Sequence, residues 1–310
     1  MIRRPPRSTL DRSSAASDVY KRQVTGKLNV YGVYVSDNFQ YNDKLVLNNG
    51  LRANLAFVEL IDNFTTPTYT RTAFLNGDHR YFRINPSLGF VYNYTNESSF
   101  LANYREANRA PSPVELSCAD PGAPCRLPNA FVADPPLEQV VTRGTELGVR
   151  SNLYTKNYNI NINTIGHFSQ NSEDILFVSS GTGLSSGYFK NFGKTNRLGF
   201  DLSLRAEKNK KKKGFQTSTI NYSYLKATFQ SAHTLPAANH PNGSNDVEAG
   251  DIIPGMPLHK INAKTTYSFN NKFNISLGAL GATGVYLRGD ESNQLNKTSP
   301  YVVFNLESKY

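Results

Sequence analysis

In the run KNYNININ, Ile160 and Ile162 alternate with Asn157, Asn159, Asn161 and Asn163, and the pattern continues to Phe168. A repeat of two puts apolar side chains on one face of an extended strand and amides on the other. The pattern returns in about eleven segments, and almost no helical periodicity is available to cover their apolar faces. Short polar turns also alternate with long irregular loops. A closed sheet standing in a bilayer accounts for all three features, because lipid covers the apolar face and closure removes the edges. The expected fold class is therefore all-β, an antiparallel transmembrane β-barrel.

Composition agrees. Among 310 residues there are 18 Tyr and 18 Phe, and no window approaches 18 consecutive apolar residues. That excludes a helical membrane protein. Mean hydropathy is −0.48, as expected where only every second strand residue meets lipid. The formal charge of +10 invites a nucleic-acid reading. Residues 1–23, however, carry six basic residues against Asp11 and Asp18, a net +4 that leaves +6 for the rest. A lysine block at Lys208–Lys213 reads as a solvated turn. No basic helical stripe or base-stacking motif appears, and no nucleic-acid partner is expected.

Residues 1–23 show neither strand alternation nor an apolar signal-peptide core. They resemble translated sequencing-adapter read-through and are expected to be a disordered, non-native leader before a barrel region at 24–310.

The alternation predicts strands at about 27–41, 44–58, 80–95, 98–108, 138–151, 156–171, 188–207, 214–230, 258–270, 272–288 and 299–310. In the segment 272–288, Phe273, Ile275, Leu277, Val285 and Leu287 are expected on one face. Short turns near 42, 96, 153, 210 and 271 alternate with long loops at 59–79, 109–137, 171–187, 231–257 and 288–299. Outer-membrane barrels place short turns in the periplasm and long loops outside. An odd strand count with no closing partner reads as a piece of a larger barrel, which alone would expose two open edges and aggregate.

Cys118 and Cys125 are the only cysteines, with Pro121, Gly122 and Pro124 between them. A compact loop in an oxidising compartment favours a disulfide. A metal or redox pair is the alternative, but two lone cysteines lack the further ligands of a zinc site. The five histidines form no HxH or HxxxH pair. His167 falls on the Asn face of its strand, so it is expected in the lumen, either as a ligand contact or as an ordinary polar wall residue. Arg105, Arg109, Arg126 and Arg143 flank the cysteine loop. Their guanidinium groups suit an anionic ligand, and pairing with Glu106, Glu115 or Glu138 is the plainer role. Tyr188, with Phe189, is either a ligand contact or part of an interfacial aromatic girdle. Gly181, Gly183 and Gly187 lack any phosphate-loop context, and no catalytic motif is visible. Neither enzyme activity nor a cofactor is expected.

The strings RINPSLGFVYNYT, ANRAPSPVELSCADPGAPCRLPNAFVADPPLEQV, RGTELGVR, NFGKTNRLGFDLSL and IIPGMPLHKINAKTTYSF, in this order, resemble the C-terminal barrel region of TonB-dependent outer-membrane receptors. The resemblance covers roughly residues 24–310. It implies a barrel of about 22 strands with a plugged lumen, in the outer membrane of a Gram-negative bacterium. It also implies a scarce ligand such as a ferric siderophore, haem, cobalamin or a glycan. Energy would come from TonB, with ExbB and ExbD, through an N-terminal plug and TonB box that this sequence does not contain. The ligand and outer-membrane lipid are then the remaining partners. A passive porin-like channel and a secreted β-rich adhesin or carbohydrate-binding protein are the alternatives.

Overall fold

The computed structural model describes residues 24–62, 76–117, 125–126, 137–179, 186–208, 214–236, 243–269 and 273–310. The leader 1–23, Cys118, the side chains of Cys125 and Arg126, Gly181 and Gly183 and the lysine run 209–213 lie outside them, so the disulfide is not addressed.

The first four strands are β1 (Val24–Gln40), β2 (Leu45–Asp62), β3 (Gly77–Asn93) and β4 (Ser98–Arg109). A one-turn helix α1 (Pro113–Leu116) and the two-residue β5 (Cys125–Arg126) follow. Next come β6 (Val140–Tyr154) and β7 (Tyr158–Ser172), then a short hairpin of β8 (Ile175–Ser179) and β9 (Ser186–Asn191). β10 (Lys194–Lys208) and β11 (Phe215–Phe229) lead to a second short pair, β12 (His233–Pro236) and β13 (Ser244–Val247). The chain ends with β14 (His259–Phe269), β15 (Phe273–Ala282) and β16 (Tyr301–Lys309).

Eleven strands form one antiparallel sheet in the order β1-β2-β3-β4-β6-β7-β10-β11-β14-β15-β16. Every neighbour in it is also the next long strand in sequence, the up-and-down order expected of a barrel wall. Register fixes which side chains share a face, because a slip of one residue would invert them all. Pairing Leu198 with Phe168 and Lys226 puts Leu198, Phe200, Leu202 and Leu204 outward. Asp201, Ser203 and Arg205 then face inward with Asn161, Asn163 and His167. Leu51, Phe82, Leu88, Leu147, Phe304 and Leu306 are likewise exposed on the outer face, where only lipid can cover them.

Aromatic rings mark the two borders of that face. At the turn end Tyr267, Phe269 and Phe273 pack in series, with centroids 4.4 and 5.8 Å apart. At the other end His259 lies against Tyr222 and Tyr224, at 6.1 and 5.3 Å. The ten-residue climb along β14 from Phe269 to His259, at ~3.3 Å per residue and a tilt of ~40°, rises ~25 Å. That equals the apolar band of such barrels, about 25 Å tall.

On the loop side two apolar clusters sit over the inner face. One joins inner-face Val58 and Leu60 to Leu116 of α1, Leu137, Val140 and Ile175. The other joins inner-face Ala227 and Phe229 to Val178, Tyr188, Phe192, Leu235, Val247 and Ile253. The long loops thus fold back over the mouth of the wall.

Two expected strands differ from those observed. The segment 188–207 is two elements, separated at Gly193, whose φ of 61° suits glycine and breaks the strand. The segment 272–288 leaves the sheet after Ala282, so Val285 and Leu287 do not extend the outer face. Their backbone instead joins a loop in which Thr298 N–H donates to Val285 O and Asp290 N–H to Leu287 O.

Candidate functional site

Between the lipid-level strands and the folded-back loops, the inner face carries a charged row that crosses six strands. Glu146 pairs directly with His167, Asp201 with Ser223, and Ser223 with Lys260. Arg105 binds the Glu146 carboxylate from β4. His167 Nε2 lies 3.5 Å from Asp201 Oδ2, and the Ser223 hydroxyl donates to Asp201 Oδ1. The imidazole lies over its cross-strand partner Gly199, where a Cβ would overlap the ring.

Two recesses open along this row and share His167 and Asp201. One, of 360 Å³, is lined by Arg105, Thr142, Gly144, Glu146, His167 and Asp201 among others. The other, of 270 Å³, adds Ser223, Lys260 and the Met256-Pro257 turn. Arg105 is neutralised by Glu146, whereas the Lys260 ammonium has no carboxylate partner among the described residues. The pair of recesses therefore offers acceptors at Asp201, an imidazole N–H at His167 and an uncompensated cation at Lys260.

The Ser223–Asp201–His167 order is not that of a nucleophilic triad. The carboxylate stands between hydroxyl and imidazole, so the imidazole does not act on the hydroxyl as base. Among the described residues no group of three or more His, Cys, Asp or Glu could hold a metal ion.

Of the other arginines expected at the site, Arg109 and Arg143 are paired with carboxylates elsewhere, and the Arg126 side chain lies outside the described residues. Arg109 Nη1 reaches Glu115 Oε2 at 2.6 Å. That carboxylate also accepts from Ser112 N–H at 2.7 Å, closing a capping box on α1. Burial pushes the Glu115 carboxyl up, but the Arg109 and Ser112 hydrogen bonds outweigh it and hold the group below the usual carboxylate range.

Arg143 belongs to a seam between β3 and β4. Regular pairing of these strands stops at Ser87 with Arg105, beside Pro86, which has no N–H to donate. Above that point side chains fill the gap. Glu106 takes Arg83 at 2.6 Å and Arg143 at 3.3 Å, and Asn108 Oδ1 accepts from both Asn54 and Asn85. A 390 Å³ recess opens beside the seam, lined by Tyr34, Arg52, Asn54, Asn85 and Arg105 among others.

Tyr188 is neither in a girdle nor open to a ligand. It is 5% exposed, inside the apolar cluster beneath the mouth loops, and burial raises its phenol above the ordinary value. The alternation in 188–207 suggested a spanning strand with an interfacial ring. The break at Gly193 instead turns this stretch into a capping hairpin.

Of the expected residues, then, the structure brings Arg105 and His167 together and sends Arg109, Arg143 and Tyr188 elsewhere. Glu146, Asp201, Ser223 and Lys260 were not singled out. Alternation places each on a polar face, but only the register of β6, β7, β10, β11 and β14 aligns them.

The family model for TonB dependent receptor-like β-barrels matches residues 4–310. The chain belongs to the TonB-dependent receptor β-barrel family. Members are outer-membrane proteins of Gram-negative bacteria, a class of receptors and transporters rather than enzymes. No curated protein matches the chain. Among solved structures, the siderophore receptor PiuA from Acinetobacter baumannii superposes with a TM-score of 0.67 at 17% identity, over 93% of this chain and 37% of that one. The copper transporter OprC gives 0.63 at 14%, over 91% and 40%. The ferric yersiniabactin uptake receptor FyuA from Yersinia pestis gives 0.60 at 14%, over 92% and 39%. This TonB-dependent barrel region thus spans about two fifths of the length of the solved receptors it resembles.

Proposed function

We propose that this chain forms part of the wall of an outer-membrane import receptor, powered through TonB, that binds and takes up a scarce ligand such as a ferric siderophore. The observation that supports this most is the inner-face row from Arg105 to Lys260, with its two adjoining recesses below the folded-back loops. Lys260 is the contact for an acidic oxygen of the ligand. Asp201 and His167 supply an acceptor and a donor beside it. A charge-assisted hydrogen bond contributes about 1.5–3 kcal/mol, so Lys260→Ala should weaken binding by roughly ten- to a hundredfold.

The test uses the full-length receptor in a host stripped of its own siderophore receptors. Uptake of a panel of labelled ferric siderophores is measured with TonB present and deleted. Uptake that needs TonB and weakens in Lys260→Ala is the expected result. Uptake that persists without TonB would leave a passive pore. An unchanged Kd in Lys260→Ala would remove the row from ligand recognition.

A further inference from the structure

The outer face holds an imbalance that the inner face does not. On the β1–β6 side the outward strand positions carry charges of both signs. Lys27 Nζ stands 3.8 Å from Glu59, and the Arg80 guanidinium lies over the Phe57 ring at 5.7 Å. From β7 through β16 the outward strand positions contain no carboxylate and no guanidinium. The cations there are Lys208 at the turn end and Lys226 and Lys194 at the loop end, with His259 beside them.

Lys226 is exposed, and its ammonium has no partner among the described residues. It stands two residues beyond Tyr224, the cross-strand partner of His259. The Tyr222 hydroxyl is 2.8 Å from His259 Nδ1. The eleven steps from Phe215 to Lys226 rise ~28 Å, at ~3.3 Å per residue and a tilt of ~40°. Lys226 therefore stands just above an apolar band of about 25 Å. Lys194, also outward and exposed, lies four residues beyond Leu198, the residue paired with Lys226. An ammonium over a lipid-facing aromatic belt, with no protein carboxylate on its face, draws its counter-charge from the membrane.

We infer that Lys226, with Lys194 above it and the Tyr222–His259–Tyr224 belt below, is a docking site for the phosphate of an anionic lipid in the outer leaflet. The ammonium groups take the phosphate oxygens, and the rings pack against the upper acyl chain. The site lies on the opposite face of the wall from the recess and is independent of the transported ligand.

The test places the full-length receptor in nanodiscs of phosphatidylcholine alone or with phosphatidylglycerol, and reads the Tm in each. The unmodified receptor should melt higher with phosphatidylglycerol. Lys226→Gln should erase most of that shift, while Lys226→Arg keeps it. Lys260→Gln, which removes the same charge from the inner face, should leave it intact. The inference fails if the unmodified receptor shows no shift, if Lys226→Gln retains the full shift, or if Lys260→Gln erases it equally. It fails too if inorganic phosphate added to phosphatidylcholine discs reproduces the shift, because the site would then serve a free anion.

Discussion

The joint between the barrel wall and its mouth loops rests on one buried carboxylate. Asp174 is 5% exposed and accepts from Thr195 Oγ1 at 2.6 Å and from Arg197 Nη2 at 2.8 Å. Its backbone carbonyl accepts from Phe192 N–H at 2.8 Å, tying the start of β8 to the end of β9. Asp174→Ala removes the counter-ion of Arg197, whose side chain is only 21% exposed, and takes the acceptor from the buried Thr195 hydroxyl, which keeps only the Arg197 Nη1 donor at 2.9 Å. Breaking a buried pair costs about 3–5 kcal/mol. Arg197 keeps some access to water, which screens the loss, so about 2–3 kcal/mol is expected here. The opening is local, and each 1.4 kcal/mol is tenfold in an equilibrium constant. Amide exchange across Ile175–Ser179 and Ser186–Asn191 should therefore accelerate roughly 30- to 150-fold in the full-length receptor, with β6 and β7 unaffected. Arg197→Met added to Asp174→Ala should restore part of the protection, because it removes the orphaned charge. If Asp174→Ala leaves exchange in the hairpin unchanged, the carboxylate does not hold the joint. If the double variant exchanges as fast as Asp174→Ala alone, charge is not the reason.

Three further outcomes follow from the loops. Glu115 has a carboxyl held below its ordinary value of 4.5, so its support of α1 is present above that value and lost as pH falls through the lower folded value. Limited proteolysis of residues 109–117 against pH should show that step, and Glu115→Gln should flatten it. Glu173 is the reverse case: burial and then Glu138 raise its carboxyl above 4.5, so stability falls as pH rises from there through the folded value. Its φ is also 54°, so Glu173→Gly should abolish the pH slope and stabilise the turn by about 1 kcal/mol, read as slower exchange at Asp174 and Ile175. Phe229 is 1% exposed and packs on Phe192 at 5.3 Å. Phe229→Ala should cost its cluster about 3–5 kcal/mol, exposing β12 and β13 to protease while β2 and β3 keep their amide protection.

The sheet was legible in the sequence because one face of each strand meets lipid. That requirement repeats every second residue, and it located all eleven sheet strands, from Val24 to Lys309, to within a few residues at most ends. Where the chain leaves the membrane the rule lapses. Ile175 and Val178 are apolar because they join the two clusters above the mouth, so they carried no strand signal distinct from their neighbours. The seam at Pro86 was hidden for a related reason. Alternation tells which face a residue occupies, while the Glu106 and Asn108 contacts depend on where cross-strand pairing stops.

The inner row shows why composition misleads about ligand charge. The +6 of the barrel region suggests an anion-attracting lumen, and four arginines near the cysteine loop sharpen that suggestion. Among the described residues, however, Arg105, Arg109 and Arg143 each have a carboxylate within reach, so their fields largely cancel beyond the pair. In the two recesses that share His167 the remainder is Lys260 and the Asp201 carboxylate across from it. A ligand that carries both an acidic oxygen and a hydrogen-bond donor satisfies both groups at once. A simple anion satisfies only the first and is repelled by the second. On the proposed function, selectivity at these two recesses would rest on the unpaired lysine and its neighbouring carboxylate, while Arg109 and Arg143 hold α1 and the β3–β4 seam in shape.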